Sequence, residues 1–297
     1  MFYAEASKQF IQRKGLEGCT PKTLDTYSGI LKRFGRFFGS ERPVSDLSME
    51  VLGDYHASLR ADELSENSIQ SYFRAIRTFL TWCFEQHILP CDLSKGFRLP
   101  KGERKELDVL TNEEIQHLLD SFDRNDELQL RNCCICMLMF DSGLRLNEVV
   151  TLSLDRLHFF EPECSFIVVN GKGKKQRRVP VGDSTVHFLR RYIACRTDSV
   201  SNRVFVQLNG SPITKGTMKD TFRRLKIVTG IKRLHPHLLR HTFATRYLDN
   251  GGNMYLLQQI LGHTTLNMTL RYVHMSDKRT IQTFQQYSPL NQLGIHL

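Results

Sequence analysis

The sequence lacks any apolar run of about 18 residues, the minimum for a membrane-spanning helix. The segment Met1 to Glu5 lacks the basic stretch and apolar core that are typical of a secretory leader. A Gly-x-x-x-x-Gly-Lys-Ser/Thr loop, the usual nucleotide phosphate cradle, is also missing. We therefore expect a soluble, cytoplasmic protein with no membrane partner and no need for ATP.

The cysteines do not form the pattern of a secreted disulfide framework, although the sequence contains eight of them. Cys133, Cys134 and Cys136 lie together in an apolar helical run. This placement predicts buried free thiols in a reducing compartment.

Acidic residues are in deficit, with 31 Asp and Glu against 41 Lys and Arg. The resulting net charge of +10 and pI of about 9.3 favour a polyanionic partner, because bound Lys and Arg release condensed counterions from phosphates. Charge by itself fits DNA, RNA or an anionic lipid surface.

The length of 297 residues suggests two domains, because a single core usually serves about 100–200 residues. Apolar residues recur at helical spacing in 21–38 and 68–87, with N-caps predicted at Thr20 and at Asn67 or Ser68. Helices near 3–14 and 46–60 would complete a four-helix bundle. A charged tract around Pro100 then predicts an interdomain linker.

The second half is predicted to be mostly helical, with a small antiparallel β-sheet. Thr111 and Glu114 have the spacing of a capping box. Further on, 166–169 is typical of a strand, 170–175 of a lysine-bearing turn, and 177–181 of the returning strand.

The most informative stretch runs from His237 to Tyr272. His237 and Arg240 are three residues apart, so on a helix they lie on one face. A polar break at 249–253 ends that helix, and a second helix delivers His263 from its C-terminal end. Tyr272 follows on a third short segment.

Upstream, a glycine turn closes the apolar run 135–140 and starts a helix with Arg145 and Glu148 three residues apart. With Lys172 in the hairpin turn, the chain presents an ordered set of basic residues, two histidines and a late tyrosine. This set resembles the tyrosine recombinase family, the phage integrases and Xer-type enzymes. The resemblance is strong over about 107–290.

The resemblance implies a fold that is mainly α with a small antiparallel β-sheet. It implies an N-terminal helical, SAM-like core-binding domain in 1–93, a basic linker in 94–106, and a catalytic domain with a C-terminal tail in 107–297. The tail, with Ile281, Phe284 and Tyr287 on one helix face, would pack either on its own domain or on a neighbouring protomer.

The resemblance also implies roles for individual residues. Arg145 and Arg240 would bind the non-bridging phosphate oxygens, since guanidinium forks match phosphate geometry. Tyr272 would attack phosphorus, His237 would accept a proton or donate to a phosphate oxygen, and His263 would be a second donor. Lys172 would protonate the leaving 5′ oxygen, with Lys174 and Lys175 as alternatives. Glu148 would hold an arginine in place.

A site-specific recombinase of this family would cleave double-stranded DNA through a 3′-phosphotyrosyl intermediate. It would exchange strands as a homo-tetramer through a Holliday junction, without metal or cofactor and with room for accessory proteins. The same residues fit a type IB topoisomerase, and the basic helical N-terminal domain fits a catalytically silent DNA-binding protein. A zinc site at His237, His241 and His263 would leave both arginines and Tyr272 without a role.

Overall fold

The computed structural model describes residues 1–99, 108–159, 165–171 and 176–273. The chain divides into two compact units, Met1–Lys105 and Glu106–Leu297, and each has its own buried core. The predicted bounds at residues 93 and 107 stay a prediction, because most of the proposed linker lies outside the described residues.

The first unit is a bundle of four α-helices, which confirms the predicted layout with shifts of a few residues at the ends. Short 3₁₀ turns lie at Val44–Asp46 and Leu93–Lys95. The helices are α1 (Tyr3–Leu16), α2 (Pro21–Phe38), α3 (Met49–Ala61) and α4 (Glu66–Glu85).

The caps of α2 and α4 differ in how well the sequence predicted them. Thr20 accepts a hydrogen bond from the Thr23 N–H, as expected before a proline at the first helical position. The prediction that Asn67 or Ser68 caps α4 was wrong. Ser65 is the cap, because its backbone is extended and its hydroxyl reaches the N–H of Ser68, which starts the helix earlier.

Aromatic side chains fill the core of the bundle. Tyr3 meets Phe34 and Phe79 edge to face, with ring centroids 5.7 and 5.5 Å apart. Its hydroxyl donates to the Leu31 carbonyl at 2.9 Å, so the polar end of this buried ring is satisfied.

The second unit is mainly helical. Thr111 and Glu114 form the predicted capping box at the start of its first helix. Its helices are α5 (Asn112–Asp120), α6 (Glu127–Asp141), α7 (Leu146–Val150), α8 (Asp183–Cys195), α9 (Lys215–Thr229), α10 (Pro236–Asp249), α11 (Met254–Leu261) and α12 (Asn267–Leu270).

The predicted hairpin is present, within a three-stranded antiparallel sheet of order β1 (Leu157–His158), β2 (Phe166–Asn170) and β3 (Gln176–Pro180). Ile167 pairs with Val179, and Val169 pairs with Arg177. Ile167, Val169 and Val179 are buried, so Arg177 lies on the inward face of the sheet with them.

Helix α6 is the centre of this unit and packs against α8 and α10. Cys133, Cys134 and Cys136 are buried along it as free thiols, as predicted. Throughout the described ranges, every helix is too short or too polar to cross a bilayer.

Candidate active site

Arg145 and Glu148 lie at the start of α7, just after the glycine turn that ends α6. The Glu148 carboxylate accepts from the Arg145 main-chain N–H at 2.9 Å and from the Arg145 guanidinium at 3.0 Å. The Glu148 carboxylate therefore fixes both the backbone and the side chain of Arg145.

Arg177 reaches the same carboxylate from β3. Its two terminal nitrogens donate to the two Glu148 oxygens at 2.8 and 2.9 Å, a bidentate pair. Its Nε donates to the Ile260 carbonyl at 2.7 Å, near the end of α11. The hairpin, α7 and α11 are thus joined at one side chain.

Arg240 projects from α10 into the same region and is 3% exposed. Its guanidinium donates to the carbonyl of Gly143 and, at 2.8 Å, to that of Leu261. One terminal nitrogen also lies 3.2 Å from Nε2 of His263. The fork is therefore oriented by neutral groups, and its positive charge is not cancelled by them.

His263 follows the left-handed Gly262 that ends α11 (φ 63°). Its main-chain N–H donates to the Gln258 carbonyl at 3.1 Å. The ring nitrogen Nδ1 lies 2.9 Å from the Thr269 hydroxyl, which directs Nε2 toward Arg240. Hydrogen bonds on both ring nitrogens fix the orientation of this imidazole.

Tyr272 lies just after α12 and is buried, at 2% exposure. Its hydroxyl is 2.8 Å from Nδ1 of His241, and its ring stacks on that of His263 with an interplanar angle of 11°. The tyrosine therefore packs beside the group that contacts Arg240.

The surroundings lower the pKa of each buried base in the site. Burial, reinforced by the nearby Arg145 charge, lowers the pKa of Arg240 to about 10. Burial and neighbouring cations lower the pKa of His241 and of His263 to about 4. At neutral pH Arg240 is charged and both imidazoles are neutral.

The pKa values of Glu148 and Tyr272 shift in opposite directions. Burial would raise the pKa of Glu148, but the hydrogen bonds and charge of Arg177, together with Arg145, leave it below its usual value. Burial raises the pKa of Tyr272 despite the nearby cations, of which Arg271 has the largest effect. The phenol is therefore protonated in this arrangement.

Five of the predicted residues, Arg145, Glu148, Arg240, His263 and Tyr272, are connected by the contacts above. His237 lies on the same helix as Arg240 but is exposed, with its ring 6.3 Å from that of His241. Partial desolvation of the ring and the Arg240 charge lower its pKa. Lys172, Lys174 and Lys175 lie outside the described residues, as does the predicted tail helix.

Within the described ranges, no three His, Cys, Asp or Glu side chains are grouped to hold a metal ion. His241 instead contacts the Tyr272 hydroxyl. The zinc alternative therefore has no support in this geometry.

Arg177 and His241 also belong to the site, although the sequence did not assign them to phosphate chemistry and placed His241 only in the zinc alternative. Arg177 lies among several basic residues of the hairpin, where its charge is not distinctive. A signal was nevertheless present, because Arg177 alternates with Val179 and Val181 on one strand face, where an apolar residue would be expected.

Comparisons with known proteins support one family. The model of the phage integrase family matches residues 108–279, and that of the phage integrase SAM-like domain matches residues 2–98. Tyrosine recombinase XerD of Oceanobacillus iheyensis is 34% identical over 282 residues, covering 92% of this chain and 94% of the relative. Tyrosine recombinase XerC of Alcanivorax borkumensis is 30% identical over 279 residues, which cover 92% of this chain and 90% of that relative.

Solved structures show the same fold. The integrase of transposon Tn1549, in complex with a circular intermediate DNA, has a TM-score of 0.83 at 18% identity and covers 97% of this chain and 100% of that one. The XerH recombinase bound to difH has a TM-score of 0.73 at 23% identity, and the match covers 89% of this chain and 79% of that one. Since the family model matches more than half of the 297 residues, the chain belongs to the phage integrase family of tyrosine recombinases.

Proposed function

We propose that this protein is a site-specific DNA recombinase that cleaves and rejoins DNA with Tyr272 as its nucleophile. The observation that carries the proposal is the contact chain from Arg240 through His263 to Tyr272. Arg240 lies 3.2 Å from His263 Nε2, and the His263 ring stacks on that of Tyr272. This arrangement sets a buried nucleophile beside a cationic phosphate-binding group.

The charges of the site favour an anion. Three arginines lie near the single carboxylate of Glu148. Arg145 and Arg177 form ion pairs with it, and Arg240 lies within reach of its charge. The excess positive charge suits a phosphodiester, and it suits better still the more highly charged phosphorane of the transition state. Arg145 and Arg240 would hold the non-bridging oxygens, with His237 as a further donor. In this arrangement His263 accepts from Arg240 through Nε2, so it orients that guanidinium.

Tyr272 attacks phosphorus, and the bond to the 5′ oxygen breaks, which leaves the DNA 3′ phosphate on the tyrosine. The phenol proton needs an acceptor, because a phenol ionises only near pH ~10 in water. His241 suits this role better than His237 does, since neutral Nδ1 already lies 2.8 Å from the phenol oxygen. Lys172 remains the predicted acid for the 5′ oxygen.

Burial of Tyr272 sets a condition on the reaction. A side chain that is 2% exposed cannot meet a phosphodiester, so Tyr272 must become accessible when DNA binds. The phosphodiester energy is conserved in the phosphotyrosyl bond, so rejoining needs no ATP.

The partner in this proposal is double-stranded DNA, held at paired sites by a homo-tetramer that passes through a Holliday junction. The DNA partner is supported by the fold that the chain shares with recombinases solved on DNA. The tetramer and the junction follow from the proposed recombinase activity. Mass measurement on DNA that carries paired sites tests the assembly, and four protomers per synapse is the expected result.

Covalent trapping tests the chemistry. Wild type, Tyr272→Phe and the matched control Tyr255→Phe are incubated in chelator with nicked duplexes from the flanks of the native gene. Tyr255 is 62% exposed on α11, outside the contacts described. An adduct that carries the DNA 3′ end is expected with wild type and Tyr255→Phe and not with Tyr272→Phe. An adduct with Tyr272→Phe, or a strict requirement for a divalent metal, contradicts the proposal.

A further inference from the structure

Arg177 is the residue that joins the hairpin to the two elements that carry Arg145 and His263. We propose that Arg177 is a positioning residue: it occupies the Glu148 carboxylate so that Arg145 stays available to the phosphate, and it supports the turn that presents His263. This inference rests on the proposed function, because that function assigns Arg145 to the phosphate and His263 to the orientation of Arg240.

The contacts of Glu148 show how the carboxylate is divided. Arg177 takes both carboxylate oxygens through a fork, whereas the Arg145 guanidinium donates to one oxygen only. The other oxygen also accepts from the Arg145 main-chain N–H. Arg145 is therefore anchored, yet its other terminal nitrogen is not bonded to the carboxylate. That nitrogen makes only a long contact of 3.4 Å with the Gly262 carbonyl, so it can turn to a ligand.

The second set of contacts concerns the turn before His263. Arg177 donates to the Ile260 carbonyl at 2.7 Å. A Cβ atom added to Gly262 would lie 3.1 Å from Nε, Cδ and Cζ of Arg177. The end of α11 thus rests directly on this side chain, and His263 is the next residue along the chain.

Removal of Arg177 would leave Glu148 as a buried carboxylate, 6% exposed, with Arg145 as its remaining bonded cation. A buried carboxylate attracts the nearest guanidinium strongly, because little water screens the pair. Arg145 would then close its own fork on Glu148 and withdraw from the phosphate. The loss of Arg177 would therefore act through Arg145.

The first test compares Arg177→Gln with Arg178→Gln in the covalent trapping assay. Arg178 is the neighbouring residue on β3, is exposed and lies over the Phe166 ring. Its replacement therefore removes the same charge from the same strand as the replacement of Arg177 does. We expect adduct formation by Arg177→Gln to slow on the order of tenfold to a hundredfold, the effect of losing one charged hydrogen-bond network. Arg178→Gln should keep the wild-type rate.

The second test is suppression. The Glu148→Gln variant can keep the main-chain cap through its side-chain amide oxygen but carries no charge to hold Arg145. The double variant Arg177→Gln with Glu148→Gln should therefore form adduct faster than Arg177→Gln does. A merely structural Arg177 predicts the reverse, since the double variant also removes the carboxylate oxygen that accepts from the Arg145 guanidinium.

The third readout is pH. Glu148 faces Arg145 on its own helix, Arg177 on β3 and the charge of Arg240 on α10. Without Arg177 the Glu148 carboxyl protonates at higher pH than in wild type, and protonation releases Arg145. The rate of Arg177→Gln relative to Arg178→Gln should therefore rise as the pH is lowered. The double variant should show a flat ratio.

Thermal unfolding of each variant separates misfolding from mispositioning. If Arg177→Gln does not fold, Arg177→Lys keeps the charge without the fork and should give an intermediate rate with the same pH trend. Equal rates for Arg177→Gln and Arg178→Gln, no suppression by Glu148→Gln, or a pH-independent ratio overturns the inference. Absence of adduct with wild type would instead count against the proposed function.

Discussion

Arg240 illustrates how single side chains make this site. Main-chain carbonyls of Gly143 and Leu261 hold its guanidinium, together with His263 Nε2. Carbonyls orient a cation without neutralising it, and the lowered pKa of about 10 still leaves it charged at neutral pH. Geometry and charge are thus supplied by different groups, and only a planar fork can satisfy the three acceptors together.

Arg240→Lys tests this requirement, because a lysine keeps the charge but cannot reach three divergent partners. We expect cleavage to slow by about 10²–10³-fold, by analogy with the loss of one preorganised transition-state donor. Single-turnover adduct formation measures the rate. Arg246→Lys, on the same helix and bonded to the Leu110 carbonyl, is the matched control and should cleave normally. Equal rates for the two variants would show that charge alone suffices at residue 240.

The two low-pKa histidines link the site to stability. His241 and His263 have pKa values of about 4 in the folded protein, against about 6.5 in the unfolded chain. Below pH ~6.5 the unfolded chain therefore binds more protons, and protonation stabilises it relative to the fold. Their penalty is absent above pH ~6.5 and grows as the pH falls toward ~4. The free energy of unfolding should therefore fall over this window. His241→Gln should reduce that slope, as measured by urea unfolding at several pH values; an unchanged slope would contradict the assignment.

At the scale of secondary-structure elements, local sequence rules predicted much of the fold. Capping residues such as Thr111 with Glu114, the apolar spacing in α2, and the short strand patterns of β2 and β3 are all local signals. The contacts that complete the site are long-range. Arg177 meets Ile260 across 83 residues of sequence, and His241 meets Tyr272 across 31. Periodicity within one element carries no information about such pairs.

Gly143 shows how an element boundary serves the site. It has φ 62° between α6 and α7, and its carbonyl accepts from Arg240. An added Cβ would overlap the Phe243 ring and come within 2.8 Å of Leu261. This turn therefore needs glycine both for its conformation and for the close approach of α10 and α11.

Gly143→Ala and Gly230→Ala separate these two requirements. Both glycines have positive φ, but an added Cβ at Gly230 meets nothing within 4 Å. We expect a cost of about 1–2 kcal/mol for the left-handed backbone at either position. Gly143→Ala should lose about 1–3 kcal/mol more through overpacking. Urea unfolding measures both values, and equal losses would show that the packing contacts of Gly143 are dispensable.

At the scale of the whole molecule, the excess of basic residues has to be divided between structure and DNA binding. In the first unit, the candidates for contacts with the DNA backbone are Lys8, Lys22, Lys32, Arg33, Arg74 and Arg77. Arg33 pairs with Asp62 at 2.6 Å, and Arg77 donates to the Phe97 carbonyl, so both already have structural roles. Lys22 and Arg74 are exposed and line one groove between α2 and α4, among threonine and serine hydroxyls.

The groove between α2 and α4 is therefore the stronger candidate for phosphate contacts. Each contact to a phosphate releases condensed counterions, so the affinity falls as a power of salt concentration. Lys22→Ala and Arg74→Ala should each weaken DNA binding and reduce the slope of log K against log salt by about 1. Arg33→Ala should leave that slope unchanged and instead lower the melting temperature. Fluorescence anisotropy over a salt series, on the full chain with duplex DNA, measures the slopes. A reduced slope for Arg33→Ala, with none for Arg74→Ala, would place the DNA on a different face of this unit.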